Sequence, residues 1–406
     1  MVAVTGIGLI TCLGTSAPEC WDRMVQGHSG IAAITRFETT GLLTRFGGEL
    51  PAKYYEMENL EFPRRLRNQT ISTSRLGFLC AKEAIRDSGV TAAGFDPYRC
   101  AVISGCSQSI FQEGQEWPNV ADQRYLVVKE MVNAITAWIS IKYGFKGPSY
   151  NIAAACASGA FAIASAFDYI RSGRGDVAVA LGVDMMLNRQ SIIGFNELLA
   201  LSENNDSPES ASCPFDNRRS GFVLSNGGCA LVLESEGFAR KRGAPVYAFI
   251  RGTAVLSEAY NIVAPEPTGR EIARTIELAI ADARIPLANI GYINAHGTST
   301  RQNDLSETVA IKQVFGNRAC GLAVSSQKSM IGHTIGGAGA IECAVTALTL
   351  RHGIITPTIN YREPDPQCNL DYVPNVAREA KNLEAAVTNS FGFGGHNCSI
   401  VLEKSC

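Results

Sequence analysis

Apolar residues in this chain gather into two kinds of run. Eight are short, continuous and mostly bounded by glycine or polar turns: residues 2–4, 101–104, 177–181 and 229–233, then 292–295, 322–325, 386–389 and 399–402. Continuous rather than alternating apolarity predicts strands covered on both faces, as in layered α/β proteins. Between them lie helical patterns. In residues 270–284, Ile272, Ile276, Ala279, Ile280 and Ala283 fall on one stripe. Two other stretches, 157–170 and 337–350, are rich in Ala, Gly and Ser and apolar nearly all round. Helices of that kind belong in the interior, where small residues let flanking sheets come close.

One such helix and one set of strands fall in each part of the chain. The pattern predicts an α/β protein of two similar halves, residues 1–245 and 246–406, packed in five layers with the small-residue helices at the centre. The seam is expected near residues 243–245, after the basic stretch 240–242. Polar segments 202–221 and 357–366 read as loops, long enough to cover or shape a site.

Composition narrows the function. The chain has 406 residues, 46% hydrophobic and 18% charged, with a formal net charge of -2, so no overall field favours nucleic acid as a partner. No apolar run is long enough to span a bilayer, and the N-terminal MVAVTGIGLITCLG lacks the basic start of a signal peptide. The thirteen cysteines include no CxxC pair and no zinc-finger spacing, which points to reduced thiols in a cytoplasmic setting. Most sit in apolar runs and read as small packed hydrophobes.

Cys156 differs. In YNIAAACASG, residues 150–159, it stands between a strand-like run and the start of an interior helix. Unpaired N–H groups and the helix dipole there favour the thiolate and can hold an oxyanion. A merely packed cysteine is the competing interpretation. Two of the five histidines lie in glycine- and hydroxyl-rich turns: His296 in AHGTST and His333 in MIGHT. Lys328 lies just upstream of His333, and Glu342 lies on the interior helix behind it; a buried lysine would need such a carboxylate. The segment NSFGFGGHN, residues 389–397, alternates Gly and Phe, giving a tightly turning backbone with aromatic walls.

CASG, HGTST, KSMIGHTIGGAGAIE and NSFGFGGHN, in this order and spacing, resemble the elongating β-ketoacyl-acyl-carrier-protein synthases of the thiolase-like superfamily, over nearly the whole chain. The resemblance implies a thiolase-like five-layer αβαβα fold and a decarboxylative Claisen condensation with malonyl-acyl carrier protein, without cofactor or catalytic metal. It implies that Cys156 is the acyl-carrying nucleophile and that His296 and His333 stabilise the malonyl enolate. Lys328 orders that site with Glu342, and Asp304 and Glu307 belong to the supporting network. Thr298 and Thr300 contact the pantetheine arm, while Phe393 is the gate and shares the oxyanion hole with Cys156. Phe161 and Phe391 are expected in the acyl pocket.

The partner implied is an acyl carrier protein, with Arg64, Arg65 and Arg67 as the candidate docking patch. A homodimer is expected, pairing across the strand near residues 177–181, or a heterodimer with a ketosynthase-like partner. Against the family pattern, Ser220, Ser225, Asn226, Asn261 and Val263 replace the usual residues, and the glycine-rich segment reads GCSQSI at 105–110. These departures leave fatty acid and polyketide-like pathways both open. A decarboxylase or acyltransferase offshoot, a chain-length-factor-like subunit and a thiolase are the alternatives. The thiolase is disfavoured because Cys398 lies outside a CxG turn.

Overall fold

The computed structural model describes residues 1–107 and 125–405. Its main sheet has ten strands, numbered here β1 (Val2–Ile10), β2 (Cys100–Gly105), β3 (Ser149–Ile152), β4 (Val177–Asp184), β5 (Gly227–Ser235), β6 (Ala248–Ser257), β7 (Ile290–Asn294), β8 (Ala323–Ser325), β9 (Ala385–Gly392) and β10 (His396–Lys404). Their spatial order is β8-β7-β9-β10-β6-β1-β5-β4-β2-β3. The first five strands run β3-β2-β4-β5-β1 and the second five repeat that order as β8-β7-β9-β10-β6. Directions repeat as well. In each set the first two pairings from the outer end are parallel and the next two antiparallel. The sets meet where Val2–Val4 pairs with Ala248–Ile250.

Five helices complete the layers: α1 (Ser72–Ser88), α2 (Ser158–Arg171), α3 (Arg270–Ala283), α4 (Arg301–Phe315) and α5 (Ala338–His352). Helices α2 and α5 lie between the two sets of strands and touch both, α1 covers the outer face of the first set, and α3 with α4 covers the second. This is the expected five-layer α/β arrangement. Small residues make it possible. A methyl on Gly159 would lie 2.8 Å from the Gly336 carbonyl oxygen, and one on Gly339 2.7 Å from the Ala160 nitrogen, so the central helices cross nearly backbone to backbone. The glycines of VAVTGIG serve α1 likewise: a methyl on Gly8 would fall 2.0 Å from the Cys80 carbonyl oxygen.

Two strands escape the apolar-run pattern, β3 and β6. Strand β3 is a four-residue edge, half exposed. Strand β6 alternates buried and partly exposed positions, with Arg251 on its outer face. The expected dimer strand needs correction. Strand β4 is hydrogen-bonded to β2 on one side and β5 on the other, so it has no free edge to offer a second copy. Among the described residues, the free edge on that side belongs to β3. Among the described residues, no helix is long and apolar enough to cross a membrane, and the described cysteines are free thiols.

Candidate active site

The site is built where the turns preceding α2 and α5 meet the ends of β7 and β9. Cys156 sits in the 3₁₀ turn Ala155–Ala157, whose first residue has φ 46°, immediately before α2. Ser158 Oγ accepts the Ala154 N–H at 2.9 Å and donates to the Ala155 carbonyl at 2.7 Å, which clamps the turn. The thiol is 7% exposed. Burial pushes it up to about 12, against the pull of the Lys328 cation and the Phe393 N–H. The thiolate expected from the helix start is therefore outweighed in the free protein. Loss of hydration costs more than the Lys328 charge and the Phe393 and Cys156 N–H groups return.

His296 follows β7, and its main chain is fixed by Glu307 on α4. The N–H groups of His296 and Gly297 donate to the two Glu307 carboxylate oxygens, each at 2.9 Å, and Asn389 Nδ2 adds a bond at 3.2 Å. His333 is held by the neighbouring segment. Its N–H donates to the Val223 carbonyl at 2.7 Å, and the Ser225 N–H donates to its carbonyl at 3.0 Å. The two imidazoles lie with ring centres 5.5 Å apart at 83°, between Phe391 on the His296 side and Phe222 on the His333 side.

Their protonation follows from their partners. Burial, with the Lys328 cation next, lowers both histidines well below the ordinary imidazole value, so both rings are neutral near pH 7. His333 Nδ1 accepts the Ile335 N–H at 3.3 Å, which leaves the proton on Nε2. Lys328 Nζ stands 3.4 Å from His296 Nδ1. An ammonium can only donate, so the His296 proton is also on Nε2. Lys328 further donates to the His296 carbonyl at 2.6 Å and forms a buried ion pair with Glu342. Burial pushes Glu342 up to about 7 while Lys328 pulls it down. Glu307, with no cation beside it among the described residues, is likewise pushed up to about 7.

One cavity of about 510 Å³ collects Cys156, His296, His333, Thr298, Thr300, Phe391 and Phe393 among its walls. Thr298 and Thr300 bond to each other at 2.9 Å. Gly392 lies against the cysteine turn; a methyl there would be 2.7 Å from the Ala154 carbonyl oxygen. Asp304 lies behind this wall, accepting the Phe215 N–H at 2.8 Å, with the Arg219 guanidinium 3.8 Å away. Phe161 is outside the lining: it stands on α2 against His396, ring centres 6.0 Å apart. On the surface, Arg64 and Arg65 are exposed, but Arg67 is tied to the buried Glu58 at 2.6 Å.

The departures from the family pattern surround this cavity. Ser220 and Val263 line it, and Asn261 Oδ1 accepts the N–H groups of Val263 and Ala264. Ser225 and Asn226 lie beneath His333, bonding to Gly48 and Leu187. Residues 108–110 of the GCSQSI segment lie outside the described residues. Asp184, Phe222 and Glu258 also stand close to the site, though no motif marks them: Phe222 and Glu258 line the cavity and Asp184 bonds the Gly336 N–H beside it. Asp184 ends a wholly buried strand, and a carboxylate in the apolar run VAVALGVD was the available signal.

A layered fold enclosing a cysteine, two imidazoles and a lysine–glutamate pair defines a condensing enzyme of the thiolase-like class. Comparison with known proteins gives the family. Residues 1–239 match the model of the β-ketoacyl synthase N-terminal domain, and residues 247–362 that of the β-ketoacyl synthase C-terminal domain. The chain belongs to the β-ketoacyl synthase family, whose members are acyltransferases. It is 38% identical to the tetracenomycin polyketide synthase ketoacyl synthase alpha subunit of Streptomyces glaucescens, covering 99% of this chain and 97% of that one. It is 36% identical to 3-oxoacyl-[acyl-carrier-protein] synthase 2 of Synechocystis, covering 99% and 98%. The structure matches that of a type II polyketide ketosynthase, bound to a hexaketide and in complex with its acyl carrier protein, with a TM-score of 0.88, 30% identity and coverage of 100% and 99%.

Proposed function

We propose that this chain joins an acyl group held on Cys156 to a malonyl unit brought by an acyl carrier protein, with loss of carbon dioxide. The convergence of the thiol and two neutral, Nε2-protonated imidazoles on one cavity carries this reading. In the first half-reaction the Cys156 sulfur attacks the incoming thioester, and the Cys156 and Phe393 N–H groups receive the oxyanion. The carrier thiolate leaves and takes up the proton that Cys156 gives up, so no net base is consumed.

In the second half-reaction the malonyl carboxylate departs as carbon dioxide. Its electron pair stays on the thioester as an enolate, whose oxygen takes hydrogen bonds from both Nε2–H groups. The enolate carbon attacks the acyl-cysteine carbonyl, and the expelled Cys156 thiolate takes a proton from solvent. Lys328 and Glu342 hold His296 in place, Glu307 and Asp304 brace the loop, and Thr298 and Thr300 receive the pantetheine arm. Phe391 walls the cavity beside His296, and Phe393 gates it. Residues 1–245 thus supply the nucleophile and residues 246–406 the histidines.

The dimer face we propose is the β3 edge. Tyr150 on that strand is 38% exposed and Ile141 on the adjacent helix Ala134–Tyr143 is 74% exposed, an apolar margin beside backbone that is unpaired among the described residues. The described free thiols support a cytoplasmic setting. Polyketide and fatty acid relatives are almost equally similar, so the acyl chain is best read from the product.

Intact-mass measurement after incubation with a panel of acyl carriers, followed by malonyl carrier, tests the proposal. Acyl adducts on Cys156 and two-carbon-extended carrier products are expected. Carbon dioxide release without extension would favour a decarboxylase instead, and no adduct at all would defeat the nucleophile assignment.

A further inference from the structure

Two turns in this molecule share one backbone shape. Ala155–Ala157 and Ile335–Gly337 are both 3₁₀ turns leading into central helices, and each opens on a non-glycine residue of positive φ, 46° at Ala155 and 49° at Ile335. Cys156 and Gly336 hold matching places. The Cys156 turn faces the catalytic cavity. The Gly336 N–H is taken instead: it donates to Asp184 Oδ2 at 2.7 Å.

Asp184 is wholly buried at the end of β4. Its Oδ2 also accepts Ser107 Oγ at 2.5 Å and the Ser107 N–H at 3.3 Å, and its Oδ1 accepts Cys106 Sγ at 3.1 Å. Among the described residues it has no ion-pair partner. A buried carboxylate without a cation is costly, and hydrogen-bond donors must offset that cost. Burial raises it to about 6, so it is largely anionic at pH 7 and above. Its contact with Gly336 is close, since a methyl there would lie 2.6 Å from Oδ2. One residue earlier in the same turn, the Ile335 N–H is the group that fixes the His333 tautomer.

We infer that Asp184 is a positioning residue for decarboxylation: by holding the Gly336 amide it holds the turn that keeps the proton on His333 Nε2. It touches neither substrate nor reacting atom and acts through two consecutive peptide units. The same charge opposes ionisation of Cys156. Asp184 therefore serves the enolate step at some expense to the resting thiol. This inference rests on the proposed function, and its test separates the two.

The experiment measures two half-reactions on the full chain: carbon dioxide release from malonyl carrier, and acyl loading of Cys156. Asp184→Ala removes the acceptor and is expected to lower kcat for decarboxylation about tenfold or more, leaving KM and the loading rate within about threefold. Asp184→Asn can still accept from Gly336, so decarboxylation should return to within about threefold of wild type. Its Cys156 should meanwhile alkylate faster with iodoacetamide, because the opposing charge is gone.

Equal loss of both half-reactions in Asp184→Ala, or loss of neither, overturns the inference. Should Asp184→Ala not fold, Ser107→Ala decides: it frees one side of the carboxylate and should lower decarboxylation alone, by about two- to fivefold. No change there is also fatal. A wild-type protein that neither loads nor decarboxylates would defeat the functional reading and this inference with it.

Discussion

The turn that carries Cys156 and the turn that carries Gly336 enter their helices with nearly the same positive φ, yet they do opposite things. The first presents a thiol and its own N–H to a cavity, with Gly392 packed behind it. The second presents an N–H already occupied by a buried carboxylate, and beside it a histidine rather than a cysteine. The repeated strand order places both turns at the centre of the molecule. Backbone geometry alone therefore does not make a reactive site. What decides is which side chain the turn carries and what already occupies its amide.

The widest separation between the two turns should come from deleting each one's functional side chain. Cys156→Ala is expected to lower acyl loading by at least about 10³-fold, while leaving malonyl decarboxylation within about tenfold of wild type. His333→Ala should do the reverse, lowering decarboxylation about 10²- to 10³-fold and sparing loading. Quenched-flow loading and carbon dioxide release check both. If each variant damaged both half-reactions equally, the division of labour would be wrong.

A second contrast concerns the thiol itself, and here its sign is informative. Cys156 is pushed up to about 12 by burial, so its thiolate fraction should rise tenfold per pH unit across neutral pH. Iodoacetamide alkylation of Cys156, followed by peptide mass, should then climb about a hundredfold between pH 7 and 9 without levelling. A plateau below pH 8 would mean that the helix start and the Phe393 N–H outweigh burial after all. Both imidazoles are neutral in that window, so they should add no inflection of their own.

That correction shows what the sequence could and could not supply. Eight strands were legible because they are covered on both faces and read as continuous apolar runs. Strand β6 was not, since partial exposure gives it an alternating pattern, and β3 was too short and too polar. The candidate site residues stood out through their glycine- and hydroxyl-rich turns, and the structure brings Cys156, His296 and His333 to one cavity. The electrostatics of that cavity were not legible. Whether desolvation or stabilising charge and N–H groups govern Cys156 depends on atoms contributed by residues 328 and 393, far away in the chain. The supposed dimer strand failed for a similar reason. Strand β4 is apolar because it lies inside the sheet, and only the strand order distinguishes an interior strand from an edge.

The smallest expected effect lies on the surface of the cysteine-bearing half. The basic run 64–67 looks uniform in sequence, but the structure divides it. Arg64 and Arg65 are exposed, and among the described residues they have no ion-pair partner. Arg67, like Arg75, is tied to Glu58, which is only 3% exposed. Reversing Arg64 and Arg65 to Glu should raise KM for acyl carrier about three- to tenfold at low salt, with kcat and melting temperature unchanged. At about 0.5 M salt the difference should shrink, because the Debye length there is only a few ångströms. Arg67→Glu should behave differently, lowering the melting temperature by placing a second carboxylate against Glu58. If KM for the Arg64 and Arg65 variant were the same as wild type at both salt concentrations, the carrier would have to reach the cavity from another side. The exposed Leu199 and Arg301 at its mouth would be the next surface to test.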